Sequence, residues 1–351
     1  MKKTFGKHIA LLAVLLGTAA AAQADNKQLE QQVLGATPQK RQADTAAAAE
    51  AKTKTGQAKT AKRKDRALSP REDAQRMYAR FNAGDSMYVT LLRDAANKGN
   101  PWASLQYGYL AHLGRIPGSK GADYALAHKA YMKAVKNPDG SLTANHLAAY
   151  NLGLLYYFGG GPIKPDGKTA LKWFQTANQA FSEQKRSQQQ AVFWPAAIYA
   201  ANILERGHAG VAPDPKRARV YWQRAAAQRD PAALYGYGHS IFRENPYAAV
   251  NYYQRAADRW HIGAMVALAH YYAKGDKLRK ADLVQATRWM QIAASVDGRY
   301  KGYAQRMMAA LPENQQKQVA QSASSWLRRR GIRPEPFPYA APLNDDPPRI
   351  L

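Results

Sequence analysis

Between Leu147 and Asn178 the apolar positions recur at intervals of three and four, which predicts helix, turn, helix. Ala148, Leu152, Gly153 and Tyr156 share one face of a first helix, and Gly159-Gly160-Gly161 with Pro162 and Pro165 stops it. Asp166 can cap a second helix, in which Ala170, Trp173, Phe174 and Ala177 form a stripe facing back toward the first. The small residues Gly153 and Ala177 let the two axes approach closely. A pair this short has one buried face and cannot enclose a core, so it predicts one link in a stacked array.

The pattern A-x3-L-G-x2-Y-x2-G, a variable turn, then D-x2-K-A-x2-W-x3-A-A recurs along the chain. One copy runs from Ala196 through Ala200, Ala201, Leu204 and Gly207 to Asp214, Ala218, Tyr221, Ala225 and Ala226. Another runs from Ala264 through Leu268, Ala269, Tyr272 and Gly275 to Asp282, Ala286, Trp289, Ala293 and Ala294. Two degenerate copies span Ala103 to Ala134 and Ala233 to Ala257, and Leu91 to Gly99 resembles the second half of a truncated one. The second-helix landmark falls at Leu91, Ala130, Trp173, Tyr221, Tyr252 and Trp289, intervals of 31 to 48 residues whose scatter lies in the turns.

Carried by these landmarks in register, the stretch from about Asp85 to Gly298 resembles the Sel1-like repeat family, a relative of the tetratricopeptide repeats with longer turns. The resemblance implies an all-α, right-handed superhelical solenoid of about five repeats with capping helices. It also implies a non-catalytic scaffold or adaptor role, in envelope assembly, secretion, signalling or host contact.

The flanks change the picture. Lys2, Lys3 and Lys7, an apolar run from Ile9 to Leu16 and Ala22-Gln23-Ala24 read as a secretory signal over residues 1–24, with the mature chain beginning at Asp25. That places the protein in the periplasm or outside the cell, with no transmembrane segment after cleavage. Residues 25–68, rich in Ala, Gln, Lys and Thr, read as a disordered basic linker. Ser69-Pro70-Arg71-Glu72 reads as a capping box opening the folded part, residues 69–330, and its first helix carries Ala74, Met77, Tyr78 and Phe81 as a cap. The insertion between Asn178 and Val192 extends a second helix. Tyr303, Met307, Leu311, Val319 and Trp326 predict two closing helices, the last ending in Arg328-Arg329-Arg330-Gly331, where cations complement the helix dipole. Residues 331–351 form a proline-rich tail.

Charge adds a second candidate. The chain carries +26; setting aside the three signal lysines, +5 on residues 25–68 and −1 on residues 331–351 leaves +19 for the folded part. A basic field outside the cytoplasm suits an acidic envelope component such as lipopolysaccharide or an acidic glycan, and nucleic acid less well. The absence of cysteine excludes disulfides, thiolate metal sites and a lipid-acceptor thiol. The seven histidines beyond the signal form no H-x3-H or H-E-x2-H arrangement, and there is no G-x-S-x-G elbow or phosphate-binding G-x4-G-K-[ST] loop. Gly159-Gly160-Gly161 lies at a repeat turn, and Asp166, Asp214 and Asp282 read as caps, so no catalytic, cofactor or metal residue is assigned. A cell-wall or β-lactam-directed enzyme is the third alternative, implied by a cysteine-rich subgroup of the resembled family from which this chain departs.

In the related tetratricopeptide fold the first helices line the concave face, which supplies an offset for choosing partner-binding residues. Counted from the L-G pair, it selects Tyr109 and His112 in the first unit, Tyr150 and Tyr157 in the second, and Asn202, Glu205 and Arg206 in the third. It continues with Tyr235, His239, Phe242 and Arg243 in the fourth and His270 and Lys274 in the fifth. Aromatic, histidine and arginine side chains are those that interfaces favour, so these thirteen form the expected site for a protein or peptide partner.

Overall fold

The computed structural model describes residues 68–136, 145–184, 192–275 and 280–331, all within one compact unit. The predicted signal segment, the leader up to Ala67, residues 185–191 of the insertion and residues 332–351 of the tail lie outside the described residues. Among those described there are helices and turns but no strand. The first elements are α1 (Pro70–Asn82), α2 (Met87–Asn97), α3 (Pro101–His112), α4 (Tyr124–Val135), α5 (His146–Phe158), α6 (Gly167–Gln184) and α7 (Trp194–Arg206). They continue with α8 (Pro215–Ala226), α9 (Pro231–Ile241), α10 (Pro246–Ala257), α11 (Ile262–Lys274) and α12 (Leu283–Val296). After a 3-10 turn at Gly298–Tyr300 come α13 (Lys301–Ala309) and α14 (Glu313–Arg330).

The helices begin where side-chain oxygens satisfy the orphan amides of a first turn. The Ser69 box is complete: Glu72 N–H donates to Ser69 Oγ at 3.3 Å, and Ser69 N–H donates to Glu72 Oε2 at 2.9 Å. Asp123, Asp166, Asp214 and Asp282 each accept a backbone amide at the start of α4, α6, α8 and α12. Each cap also ties its pair together. Its own amide donates to the carbonyl of Ala111, Tyr156, Leu204 or Tyr272, at the end of the preceding helix, over 2.5 to 2.9 Å.

Each even-numbered helix from α4 to α10 packs on the first helix of its own pair and on that of the next, which makes the array a solenoid. Alanine makes up half of the buried apolar residues among those described, with large rings packed among them. Trp173, Tyr221 and Tyr252 are only half-buried; the residue after each of them, Phe174, Trp222 or Tyr253, is the core ring. The glycine of the L-G pair explains this spacing. A Cβ at Gly108 would stand 2.9 Å from the Tyr131 ring, one at Gly153 2.5 Å from Phe174 and one at Gly238 3.0 Å from Tyr253. Trp222 seats on Gly236 of the following pair, where a Cβ would stand 2.5 Å away. These close approaches let a whole ring be buried between two backbones, stabilising each layer by about 2–3 kcal/mol.

The ends are closed by helices. α1 packs on α2 and α3, and α14 packs on α12. Trp326 meets Trp260 and Trp289 edge-on at 5.4 and 5.9 Å. Arg330 does more than complement a dipole: it pairs with Asp258 at 2.5 Å and lies over the Trp326 ring. No helix among the described residues is long and apolar enough to cross a membrane.

Asp230, the cap of α9, is buried, and desolvation raises its carboxyl from 3.8 to about 6 even though the Ala233 and Ala232 amides pull it down. The folded chain therefore holds this proton more tightly than the unfolded chain, and stability falls as pH rises through the interval from about 4 to 6. Asp230→Asn keeps an oxygen for the Ala233 amide and removes the buried charge. Thermal melts should show the variant more stable than wild type by about 2 kcal/mol above pH 6, with the difference vanishing below pH 4. A difference independent of pH would contradict this account of the cap.

Candidate partner-binding face

Of the thirteen residues chosen by offset, three belong to the core. Tyr109 is 8%, His112 3% and Tyr150 1% exposed, so none can present its side chain to a partner. Tyr109 packs edge-on against Tyr78 of α1 at 6.1 Å, because the capping helix covers the place the offset leaves open. Tyr150 is enclosed by Phe193 and Phe174 at 5.4 and 6.0 Å. His112 Nδ1 lies 3.2 Å from the Tyr131 hydroxyl, and burial lowers its pKa to about 4, keeping the ring neutral.

The other ten reach the surface at least in part, and seven of them lie in the last turns of α5, α7, α9 and α11 or just beyond. Tyr157, Asn202, Glu205, Tyr235 and Phe242 are half-buried, whereas Arg206, His239, Arg243, His270 and Lys274 are exposed. Arg206 and Lys274 end α7 and α11, and Arg243 lies two residues past α9. Cations suit helix C-termini. Yet no carboxylate among the described residues pairs with any of the three, in contrast to Arg219, which forms a two-pronged bond with Glu244.

The charge of Arg206 reaches rings of two neighbouring repeats. Burial pushes the Tyr157 and Tyr235 hydroxyls up, while the charge of Arg206 pulls both down, so the guanidinium sits within range of α5 and α9 at once. Glu205 pushes Tyr235 and Tyr253 up further, after burial. Ring contacts continue the surface. Tyr157 meets Tyr199 edge-on at 5.1 Å, and Phe242 stacks on Tyr253 at 6.0 Å.

Three participants escape the offset. His208 stacks on Tyr157 at 4.3 Å, and its Nε2–H donates to the Tyr157 carbonyl at 2.8 Å. His261 caps α11 by accepting the Ala264 amide on Nδ1 at 3.1 Å and stacks on Tyr235 at 4.6 Å. Tyr199 stacks on Phe174 at 5.2 Å. The first two lie in turns and the third one position away from a selected column, so a rule built on first-helix spacing passes over them. His208 carries a hydrogen on Nε2 to reach the carbonyl, and His261 keeps a lone pair on Nδ1 to accept the amide.

The result is a strip of half-buried rings with exposed Arg206 within electrostatic range of two of them. Among the described residues no group of three or more His, Cys, Asp or Glu side chains could hold a metal ion.

Residues 146–180, 194–230, 232–259 and 262–296 match the family model described as Sel1 repeat. The fold is similar to a Sel1 repeat protein from Oxalobacter formigenes, with a TM-score of 0.54 and 22% identity over 78% of this chain and 100% of that one. It is also similar to a protective antigen of uropathogenic Escherichia coli strains that displays an SLR fold, with a TM-score of 0.57 and 18% identity over 74% of this chain. The match covers 52% of that antigen, so this chain corresponds to about half its length. No curated protein matches the chain.

Proposed function

Because the chain belongs to the Sel1-repeat family, whose members are generally protein-interaction scaffolds, we propose that it is a non-catalytic scaffold holding an extended segment of a partner protein along α7, α9 and α11. The observation that carries this reading is exposed Arg206 within electrostatic range of both Tyr157 and Tyr235, while Tyr235 and Phe242 both pack on Tyr253. Rings in recesses supply the buried anchors of an interface, and border charges speed encounter and set register. The secretory character of residues 1–24 supports a place in the periplasm or outside the cell.

A basic envelope binder is the competing reading, favoured by the +19 calculated for residues 69–330. The two separate cleanly. A partner held by the strip is captured equally by a chain lacking residues 25–68 and persists at roughly 0.5 M salt, where screening acts within less than 10 Å. Capture that disappears both with the leader and with salt supports the polyanion reading instead.

A further inference from the structure

We propose that the closing end of the array holds a second site, which uses none of the strip's residues: a phosphate group bound by the guanidiniums of Arg288 on α12 and Arg329 on α14. The place is made by the closing helix. The residue before the second-helix landmark is exposed at Lys129, Lys172, Val220 and Asn251. Its counterpart in the last repeat, Arg288, is half-buried, where α14 packs on α12. The Arg288 guanidinium lies over the Trp289 ring at 4.8 Å, and its bond to Gln285 Oε1 is long, at 3.4 Å. Asp258, a carboxylate within its electrostatic range, is already bound by Arg330 at 2.5 Å.

α14 then adds a like charge. Arg330 lies over Trp326, whose ring meets Trp289 edge-on at 5.9 Å, so the two ring faces hold Arg288 and Arg330 in fixed orientations at one place. Burial first, and the charge of Arg329 next, hold the Arg288 guanidinium below its ordinary value, with Tyr272 and Asp258 pulling it back up. Arg288, Arg329 and Arg330 against Asp258 leave a local charge of +2. A helix C-terminus is complemented by cations without bringing them toward another cation, so the dipole does not account for this approach. Half-desolvated like charges cost stability, and a bound anion relieves that cost. A phosphate group fits better than a carboxylate: its charge of about −1.5 to −2 matches the local sum, and its oxygens can accept from two planar guanidiniums at once.

The test is calorimetric titration of the purified full chain with inorganic pyrophosphate, against sodium chloride of matched ionic strength, which should show saturable binding. Arg288→Gln with Arg329→Gln should weaken it by about tenfold or more, as charged hydrogen bonds are lost. Should that pair fail to fold, Arg329→Gln alone, at an exposed position, should still weaken it by about threefold. Lys129→Gln with Lys172→Gln removes the same charge from exposed, repeat-equivalent positions and should leave binding unchanged. No saturable binding, or equal weakening by the lysine and arginine substitutions, overturns the proposal. Flotation with phosphatidylcholine vesicles carrying phosphatidate then identifies the source. Vesicle binding lost with the arginine substitutions assigns a lipid headgroup; pyrophosphate binding with vesicle binding absent, or indifferent to these arginines, assigns a soluble phosphate.

Discussion

Gly167→Ala should lower the stability of the solenoid by about 3 kcal/mol or more, the largest effect expected of any single methyl group in this chain. A Cβ there would stand 1.9 Å from the His208 carbonyl oxygen and 3.1 Å from that of Ala209. Both are backbone atoms, so no rotamer change relieves the overlap. Gly167 N–H donates to the Ala209 carbonyl at 2.9 Å, and His208 Nε2–H donates to the Tyr157 carbonyl. Moving α6 away from the α7–α8 turn breaks both bonds and slackens the Tyr157–His208 stack. The substitution therefore injures the fold and one end of the partner-binding strip together. Thermal melts followed by circular dichroism should show Tm falling by roughly 6–12 °C. Gly302→Ala is the control: its Cβ would meet only the tip of Arg306 at 3.6 Å, so the variant should melt at or slightly above wild type. Equal melting of the two variants would show that the contact between repeats is not as close as described.

The second large effect concerns function. Arg206→Glu combined with Arg243→Glu should weaken partner capture by about 30-fold or more while leaving Tm within about 1–2 °C of wild type. Both side chains are exposed and neither forms an ion pair among the described residues, so the fold loses little. The strip loses much: its border changes sign, and the charge between Tyr157 and Tyr235 becomes repulsive to a carboxylate. A pronounced fall in Tm, or capture unaffected by the double reversal, would separate these cations from binding.

The repeats are legible in the sequence because their signals are local. The three-and-four spacing, the cap aspartates and the glycine turns act within a few residues, and the helices begin and end where those signals stand. The closeness permitted by Gly153 is also legible, although the ring it receives is Phe174 and not the neighbouring landmark Trp173. Gly167 is not legible. The residue after the cap aspartate is Tyr124, Pro215 or Leu283 elsewhere, so capping does not require glycine, and its need arises from a turn 41 residues further along.

The face divides in the same way. An offset from the L-G pair lands on exposed positions at Arg206, His239, Arg243, His270 and Lys274 because repeats in register place equivalent residues equivalently. It fails at Tyr109 because α1 covers that end of the array, and at Tyr150 because Phe193, immediately before α7, closes over it. Coverage by another element is a tertiary fact that spacing within one helix does not carry. His208 and His261 enter the strip from turns, through bonds to a carbonyl and an amide that no motif announces.

The most direct test of the central claim is photo-crosslinking in intact cells from position 239, with mature chains that carry or lack residues 25–68. One dominant protein adduct, equal in both chains and lost with the Arg206 and Arg243 reversals, is the predicted result. Adducts confined to lipid or glycan and lost with the leader would contradict it, leaving the strip as internal packing and the basic leader as the binding element.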